Sequence, residues 1–284
     1  MKEARSHDVE QKESCLRALF RSLGSAIVAY SGGVDSAYVA FIAACELGEK
    51  MLAVTAESPS LAARQREEAI AFAQRFAIPH LLIRTEELRD PNYRRNPPNR
   101  CYYCKRELYA RLTQLARERG FRALCDGANM DDLADFRPGR HAAREFGVIS
   151  PLIECRITKA EVRELSRRHG LPTWDKPASP CLASRIPYGM EVTPEKLRAI
   201  EQGEEILRDL GFRIFRVRHH GALVRLELGA EELRRALHPE TLDRLVREFK
   251  ALGFTFVTLD LEGYRTGALN EVLPLREETS PSPE

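Results

Sequence analysis

Apolar positions in the first half of the chain form short, strand-length runs separated by longer amphipathic stretches. Leu16, Leu19 and Phe20 recur at helical spacing, Gly24 interrupts the pattern, and AIVAY (Ala26 to Tyr30) reads as a buried strand. A glycine-rich turn and a helix to about Leu47 follow. Further apolar runs lie at Met51 to Ala56, His80 to Thr85 and Ala123 to Asp126, with helical stretches at Leu61 to Phe76 and Cys104 to Arg119 between them. Strands alternating with helices predict an α/β fold on a mostly parallel sheet. Such sheets bind ligands at the carboxyl ends of their strands, so the loops after Tyr30, Ala56, Thr85 and Asp126 are expected to converge on one cleft.

The periodicity lapses in PTWDKPASPCLASRIPYG, which begins at Pro172 and reads as a crossover between domains. Beyond it the pattern predicts a helix over Thr193 to Leu210, strands over Phe212 to Arg218 and Ala222 to Leu228, a helix near Leu242 to Leu252, and a strand over Phe254 to Asp260. The expected organisation is a nucleotide-type domain over 1–172, a crossover loop over 173–189, a smaller α+β domain over 190–276 and a disordered tail over 277–284. No internal repeat is evident.

Composition narrows the function classes. The 44 Lys and Arg against 42 Asp and Glu leave a net charge of +2, so no global field would hold the chain on tRNA or an anionic membrane. No apolar run is long enough to span a bilayer, and the first residues lack a signal-peptide core; the expected location is the cytoplasm. Seven cysteines in such a chain argue for buried, metal-binding or reactive thiols rather than a disulfide framework.

The strongest motif is SGGVDS, Ser31 to Ser36, set between a buried strand and a helix. Gly32 and Gly33 let backbone N–H groups, with that of Val34, curl around a phosphate, and the helix N-terminus adds partial positive charge. Ser31 and Ser36 can donate to phosphate oxygens. Asp35 suits Mg²⁺ bridging to the phosphates, or a helix cap. The turn is not a Walker A loop, because no GK[ST] follows.

SGGVDS resembles the PP-loop of the ATP pyrophosphatases. Together with RCYYCK (Arg100 to Lys105), DGANMDDLADFRPG (Asp126 to Gly139), SPCLASRIPYG (Ser179 to Gly189) and TLDLEGYRTGALN (Thr258 to Asn270), it makes the chain similar to the LarE family of ATP-dependent sulfur transferases, from about Leu16 to about Leu273. The resemblance implies an adenine nucleotide alpha hydrolase-like domain with a smaller C-terminal domain, and ATP and Mg²⁺ as ligands. It also implies adenylation and sulfuration of pyridinium-3,5-biscarboxylate mononucleotide on the way to a nickel-pincer nucleotide, and assembly as a homo-oligomer. It implies roles for Lys105 at the ATP phosphates, Asp126 and Gly127 in the cleft, and Ser184, Arg185, Glu204, Arg216 and Arg218 in substrate handling. Arg216 and Arg218, two apart on a strand, would share a face. The bland alternatives are a solvated Lys105 and an exposed basic strand face.

Cys101 and Cys104 form C-x-x-C, expected just before a helix, and Cys181 lies in the crossover. Three readings stay open here. The three thiolates hold a [4Fe–4S] cluster, leaving one iron open for extra sulfide. Cys181 alone gives up its sulfur, although in the sacrificial pattern the cysteine would fall at Pro180 and the C-x-x-C pair is not kept. Or the pair is a structural zinc half-site or redox dithiol. Cys15, Cys45, Cys125 and Cys155 are expected to be buried packing residues, and His219 and His220 surface groups. Competing functions are tRNA thiolation, which the charge balance does not support, and nucleotide-binding regulation without turnover.

Overall fold

The computed structural model describes residues 2–134, 137–265 and 267–272; the tail expected at 277–284 lies outside the described residues. The chain forms two compact units, one of Met1–Arg94 and Asn99–Cys181, the other of Arg95–Pro98 and Leu182–Glu284. The division falls between Cys181 and Leu182, within the stretch expected as a crossover, and Arg95–Pro98 goes with the C-terminal unit.

In the first unit, helix α1 (Lys2–Leu23) precedes strand β1 (Ala26–Ala29), followed by α2 (Val34–Leu47), β2 (Met51–Glu57), α3 (Ala63–Arg75), β3 (His80–Arg84), α4 (Pro91–Arg94), α5 (Arg100–Arg119), β4 (Ala123–Cys125), α6 (Gly139–Glu145), α7 (Pro151–Glu154) and α8 (Lys159–Arg168). The sheet is α/β and wholly parallel, in the order β3-β2-β1-β4, as the alternating pattern predicts. All four residues of β1 are buried, the mark of a central strand covered on both faces. On one face it packs with α2, most of whose side chains are buried, and with Val9, Leu16 and Phe20 of α1. On the other lie Tyr109, Leu112 and Ala116 of α5 with Ala142 and Ala143 of α6. The chain leaves β1 toward β2 on one side and returns as β4 on the other, so the switch point that opens a ligand crevice lies between β1 and β4.

In the second unit, α9 (Pro194–Asp209), β5 (Phe215–His220), β6 (Leu223–Leu228), α10 (Leu233–Ala236), α11 (Pro239–Ala251) and β7 (Phe256–Leu259) form a sheet in the order β5-β6-β7, antiparallel then parallel. Strand β5 starts three residues later than its apolar pattern suggests. The carboxylate of Glu232 accepts from the backbone N–H groups of Arg213 at 2.9 Å and Ile214 at 3.0 Å, which takes that segment out of the ladder.

Two further expectations need correction. Helix α5 starts at Arg100, so Cys101 and Cys104 lie within its opening turns rather than before it. Cys125 and Cys155 are buried, but Cys15 and Cys45 are exposed, each on a helix rim beside an inward-facing stripe.

Candidate active site

The turn after β1 depends on two glycines. Gly32 has φ +71°, and a Cβ there would sit 2.9 Å from that of Ala69. Gly127, after β4, approaches the start of α2 so closely that a Cβ would lie 2.8 Å from the Ser36 nitrogen. Only glycine fits both the left-handed backbone and this contact. The Ser31 and Ser36 hydroxyls lie 3.0 Å apart, and Ser36 Oγ also accepts from the Ser31 N–H at 3.2 Å. With Gly33 as N-cap lacking a side chain, the first N–H groups of α2 are left to a ligand.

These groups open on a cavity of about 400 Å³ at the β1/β4 switch point. Its walls include Ser31, Gly33, Asp35, Ser36, Lys105, Asp126 and Gly127, together with Cys101. Gly32 and Val34 do not line it; both are buried and shape the turn from behind. The loops after Tyr30, Ala56 and Asp126 contribute walls, but the loop at Thr85 does not.

Asp35 Oδ2 accepts from Lys159 Nζ, and Oδ1 accepts from Asn129 Nδ2 at 3.3 Å. Asp126, buried at the end of β4, accepts from Tyr109 Oη at 3.1 Å, Ser150 Oγ at 2.8 Å and the Ala128 N–H at 3.1 Å. Lys105 is half-buried with Nζ 5.4 Å from the centre of the Tyr109 ring, not a solvated surface lysine. Tyr109 first, then Asp126 and Cys104, holds its ammonium above the ordinary lysine range against the opposing pull of burial. Burial pushes the Tyr109 phenol up to about 12. The cavity therefore presents a fixed cation beside a helix N-terminus, a pairing suited to phosphate.

Cys101 lines this cavity, and Cys104 and Cys181 belong to the same unit. None of the seven cysteines forms a disulfide. Burial, then the charge of Glu87, then Cys181 push the Cys104 thiol well up, with Cys101 adding a smaller push. Tyr93, 1% exposed and 2.7 Å from Ser60 Oγ, feels both Cys181 and Cys104. The three sulfurs are thus electrostatic neighbours. Among the described residues, no three His, Cys, Asp or Glu side chains are placed to share a single metal ion.

No protein-family model matches the chain. An uncharacterized protein of Synechocystis sp. is 49% identical over 265 residues, spanning 93% of this chain and 99% of its own. Pyridinium-3,5-bisthiocarboxylic acid mononucleotide synthase of Lactiplantibacillus plantarum is 36% identical over 263 residues, spanning 92% of this chain and 95% of its own. This chain belongs to the LarE family. A more distant relative, an uncharacterized protein of Methanocaldococcus jannaschii, is 29% identical over 240 residues, 84% of this chain and 90% of its own.

The remaining candidate residues of this LarE-family chain all fall in the C-terminal unit, and most are buried. Arg185, 2% exposed, donates to Glu204 through Nε at 2.7 Å and Nη2 at 3.2 Å, and to Ser184 Oγ at 2.9 Å. Arg216 and Arg218 do share one face of β5, yet Arg218 is not exposed. It is 6% exposed and makes a bidentate pair with Glu227 at 2.8 and 2.7 Å, and it donates to the Ser184 carbonyl at 3.0 Å. Arg216 lies 4.7 Å from the Tyr264 ring. Burial, then the Arg185 charge, pulls it below the usual arginine range. His219 is also buried, edge-on to Phe254 at 4.9 Å, rather than on the surface.

Sequence reasoning missed Lys159, the ion-pair partner of Asp35; Arg137 and Arg140, which line the cavity; and Glu227, the anchor of Arg218. Arg137 lies in the DGANMDDLADFRPG stretch, so the motif held a signal that only the cavity makes legible. Among the described residues no helix is long and apolar enough to cross a membrane.

Proposed function

We propose that this protein is an ATP-dependent sulfur transferase that adenylates a carboxylate of pyridinium-3,5-biscarboxylate mononucleotide and replaces a carboxylate oxygen with sulfur, toward a nickel-pincer nucleotide. The observation that carries this reading is that a phosphate-type turn, a fixed lysine and a cysteine, Cys101, line one cavity. The name of the Lactiplantibacillus relative supports the choice of substrate.

In the proposed reaction a substrate carboxylate oxygen attacks the α-phosphorus of ATP, the bond to the β-phosphate oxygen breaks, and pyrophosphate leaves. The N–H groups at the start of α2, the Ser31 and Ser36 hydroxyls and Lys105 hold the phosphates and offset the charge that grows on the leaving pyrophosphate. Asp35 Oδ1 accepts one long hydrogen bond, so it keeps acceptor capacity for a Mg²⁺ that bridges the phosphates. Sulfur then attacks the acyl carbon, and AMP leaves with the former carboxylate oxygen.

For the sulfur we propose Cys101, Cys104 and Cys181 as ligands of a [4Fe–4S] cluster. Soft thiols are the right donors. A cubane spreads its ligands over separate irons, so they need not converge on one point, and their mutual influence on Cys104 and Tyr93 supports this fit. When bound, the cluster would supply one iron without a cysteine, able to carry sulfide repeatedly. The test is an anaerobic assay of iron–sulfur-reconstituted protein with ATP, the pyridinium substrate and sulfide. Pyrophosphate and thiocarboxylate are expected over many turnovers, and both should vanish in Cys101→Ala and Cys181→Ala. An iron-free protein that turns over once and loses sulfur mass at Cys181 would replace the cluster with a sacrificial cysteine.

A further inference from the structure

The stretch 172–181 ends at Cys181, and from Lys176 onward it runs without helix or strand, with Pro177 to Pro180 exposed. Polar side chains of the N-terminal unit hold it. Arg163 of α8 donates to the carbonyls of Trp174 at 2.7 Å and Lys176 at 2.8 Å, and Gln65 of α3 donates to the Ser179 carbonyl at 3.1 Å. Lys176 reaches the other way: its Nζ donates to the Gly32 carbonyl at 3.1 Å and lies 2.8 Å from Glu68 Oε2. One ammonium thus joins the stretch, helix α3 and the phosphate-type turn.

The atom that Lys176 grips decides what the contact does. A trans peptide points its carbonyl and its N–H to opposite sides. Gly32 lies behind the turn and Gly33 lines the cavity, so a Gly32 carbonyl held from behind sets the Gly33 N–H toward the cavity. The peptide between these two glycines is the one in the turn freest to rotate, because neither residue has a Cβ to restrict it. An ammonium on its carbonyl removes that freedom and polarises the peptide, which makes the N–H a stronger donor. Glu68 offsets the lysine charge, so the contact gives the turn direction rather than net charge.

We propose that Lys176 is a positioning residue that couples the phosphate turn to the stretch ending at Cys181, by fixing the Gly32–Gly33 peptide with its N–H on the cavity side. The proposal rests on the ATP reading above. A phosphate that accepts from the Gly33 N–H favours the same peptide orientation that Lys176 favours. Nucleotide therefore steadies the lysine contact, and the lysine contact strengthens the hold on nucleotide, a coupling that is reciprocal by linkage. Through Lys176 the order reaches 172–181, so the nucleotide that activates the acyl group also settles the stretch that carries Cys181.

The test uses the full chain as wild type, Lys176→Met and Lys176→Arg, with α,β-methylene-ATP and Mg²⁺, a nucleotide that cannot be cleaved between its α- and β-phosphates. Calorimetry gives its Kd, and hydrogen exchange read by mass spectrometry reports on 31–36 and 172–181 with and without it. In wild type, nucleotide should slow exchange in both stretches. Lys176→Met should bind about tenfold more weakly, within the usual range of coupling between sites, and at saturation should show the slowing over 31–36 alone. Lys176→Arg should restore both readouts, because a guanidinium can donate to the same carbonyl and carboxylate. A lysine that only pins the stretch would raise exchange over 172–181 equally in both states and leave the nucleotide-induced slowing in place. That slowing persisting in saturated Lys176→Met, or an unchanged Kd, would overturn the proposal. Wild type that is slowed over 31–36 but not over 172–181 would overturn it while leaving the nucleotide site standing, and wild type that binds no nucleotide would overturn the ATP reading as well. Should Lys176→Met fail to fold, the wild-type comparison decides alone.

Discussion

In the N-terminal unit Asp35, Lys105 and Asp126 line a cavity of about 400 Å³ and have one wall open to a ligand. In the C-terminal unit Arg185, Glu204, Arg218 and Glu227 are buried, and each arginine grips its carboxylate with two nitrogens. The two sets resemble each other in composition but not in solvation. Charges at a cavity wall keep bonding capacity for substrate, and their removal should be felt in turnover. Charges that saturate one another in the interior have replaced their water, so deleting one strands its partner. Arg218 and Arg185, which the family resemblance led us to expect in substrate handling, are thus first of all components of a rigid scaffold.

The largest effect is expected at Glu227, which is fully enclosed and holds both Arg218 and Arg225. Glu227→Ala should destabilise the chain by about 3–5 kcal/mol, as for other broken buried pairs, in a urea unfolding experiment. ATP affinity measured by calorimetry below the transition should stay near wild type; a parallel loss would erase the contrast. Next is Asp35→Ala. Pyrophosphate release should fall about 10²–10³-fold, the range for loss of one well-placed electrostatic group, while the unfolding midpoint moves little. If release is unchanged, Asp35 is only a partner of Lys159 and the PP-loop role is lost. Smaller again is Gly127→Ala, whose new methyl would meet the Ser36 backbone at 2.8 Å. Overpacking of about 1–3 kcal/mol should appear as lower stability together with a raised KM for ATP, because the neighbour that must move is the phosphate turn itself.

The first unit was largely legible because its signals are local. Runs such as Ala26 to Tyr30 fix a strand, and SGGVDS announces the turn that follows it. The ion pairs were not legible, because they are set by tertiary approach. Lys159 meets Asp35 from 124 residues away, and Glu227 reaches Arg218 only through the antiparallel register of β5 and β6. Charge in the sequence says nothing of burial, which is why an alternating strand with Arg216 and Arg218 on one face could be read as an exposed basic surface.

The smallest expected effect concerns pH, and it extends the contrast between the units. Burial lowers His80 in the N-terminal unit and His219 and His220 in the C-terminal unit below the ordinary 6.5. An unfolded histidine takes up its proton near pH 6.5, whereas these folded ones resist until lower pH. Between the depressed folded value and 6.5 the unfolded chain therefore binds more protons, and stability rises with pH across that window. The contribution is fully present above 6.5 and is lost as pH falls through it. The His80 ring nitrogen lies 2.9 Å from Thr55 Oγ1, and the ring stands edge-on to Tyr30 at 5.6 Å, with burial rather than a neighbouring charge lowering it. His219 and His220 add mutual repulsion when charged, with Lys196 near the first and Arg225 and Arg218 near the second. Urea midpoints between about pH 7.5 and 5.5 should thus fall for wild type and flatten more in His219→Gln with His220→Gln than in His80→Gln. The window avoids the carboxylates lowered by ion pairs, such as Glu161, which respond only at more acid pH. A steeper loss traced to His80 would mean that solvation by Thr55, rather than the surrounding cations, governs how these histidines respond.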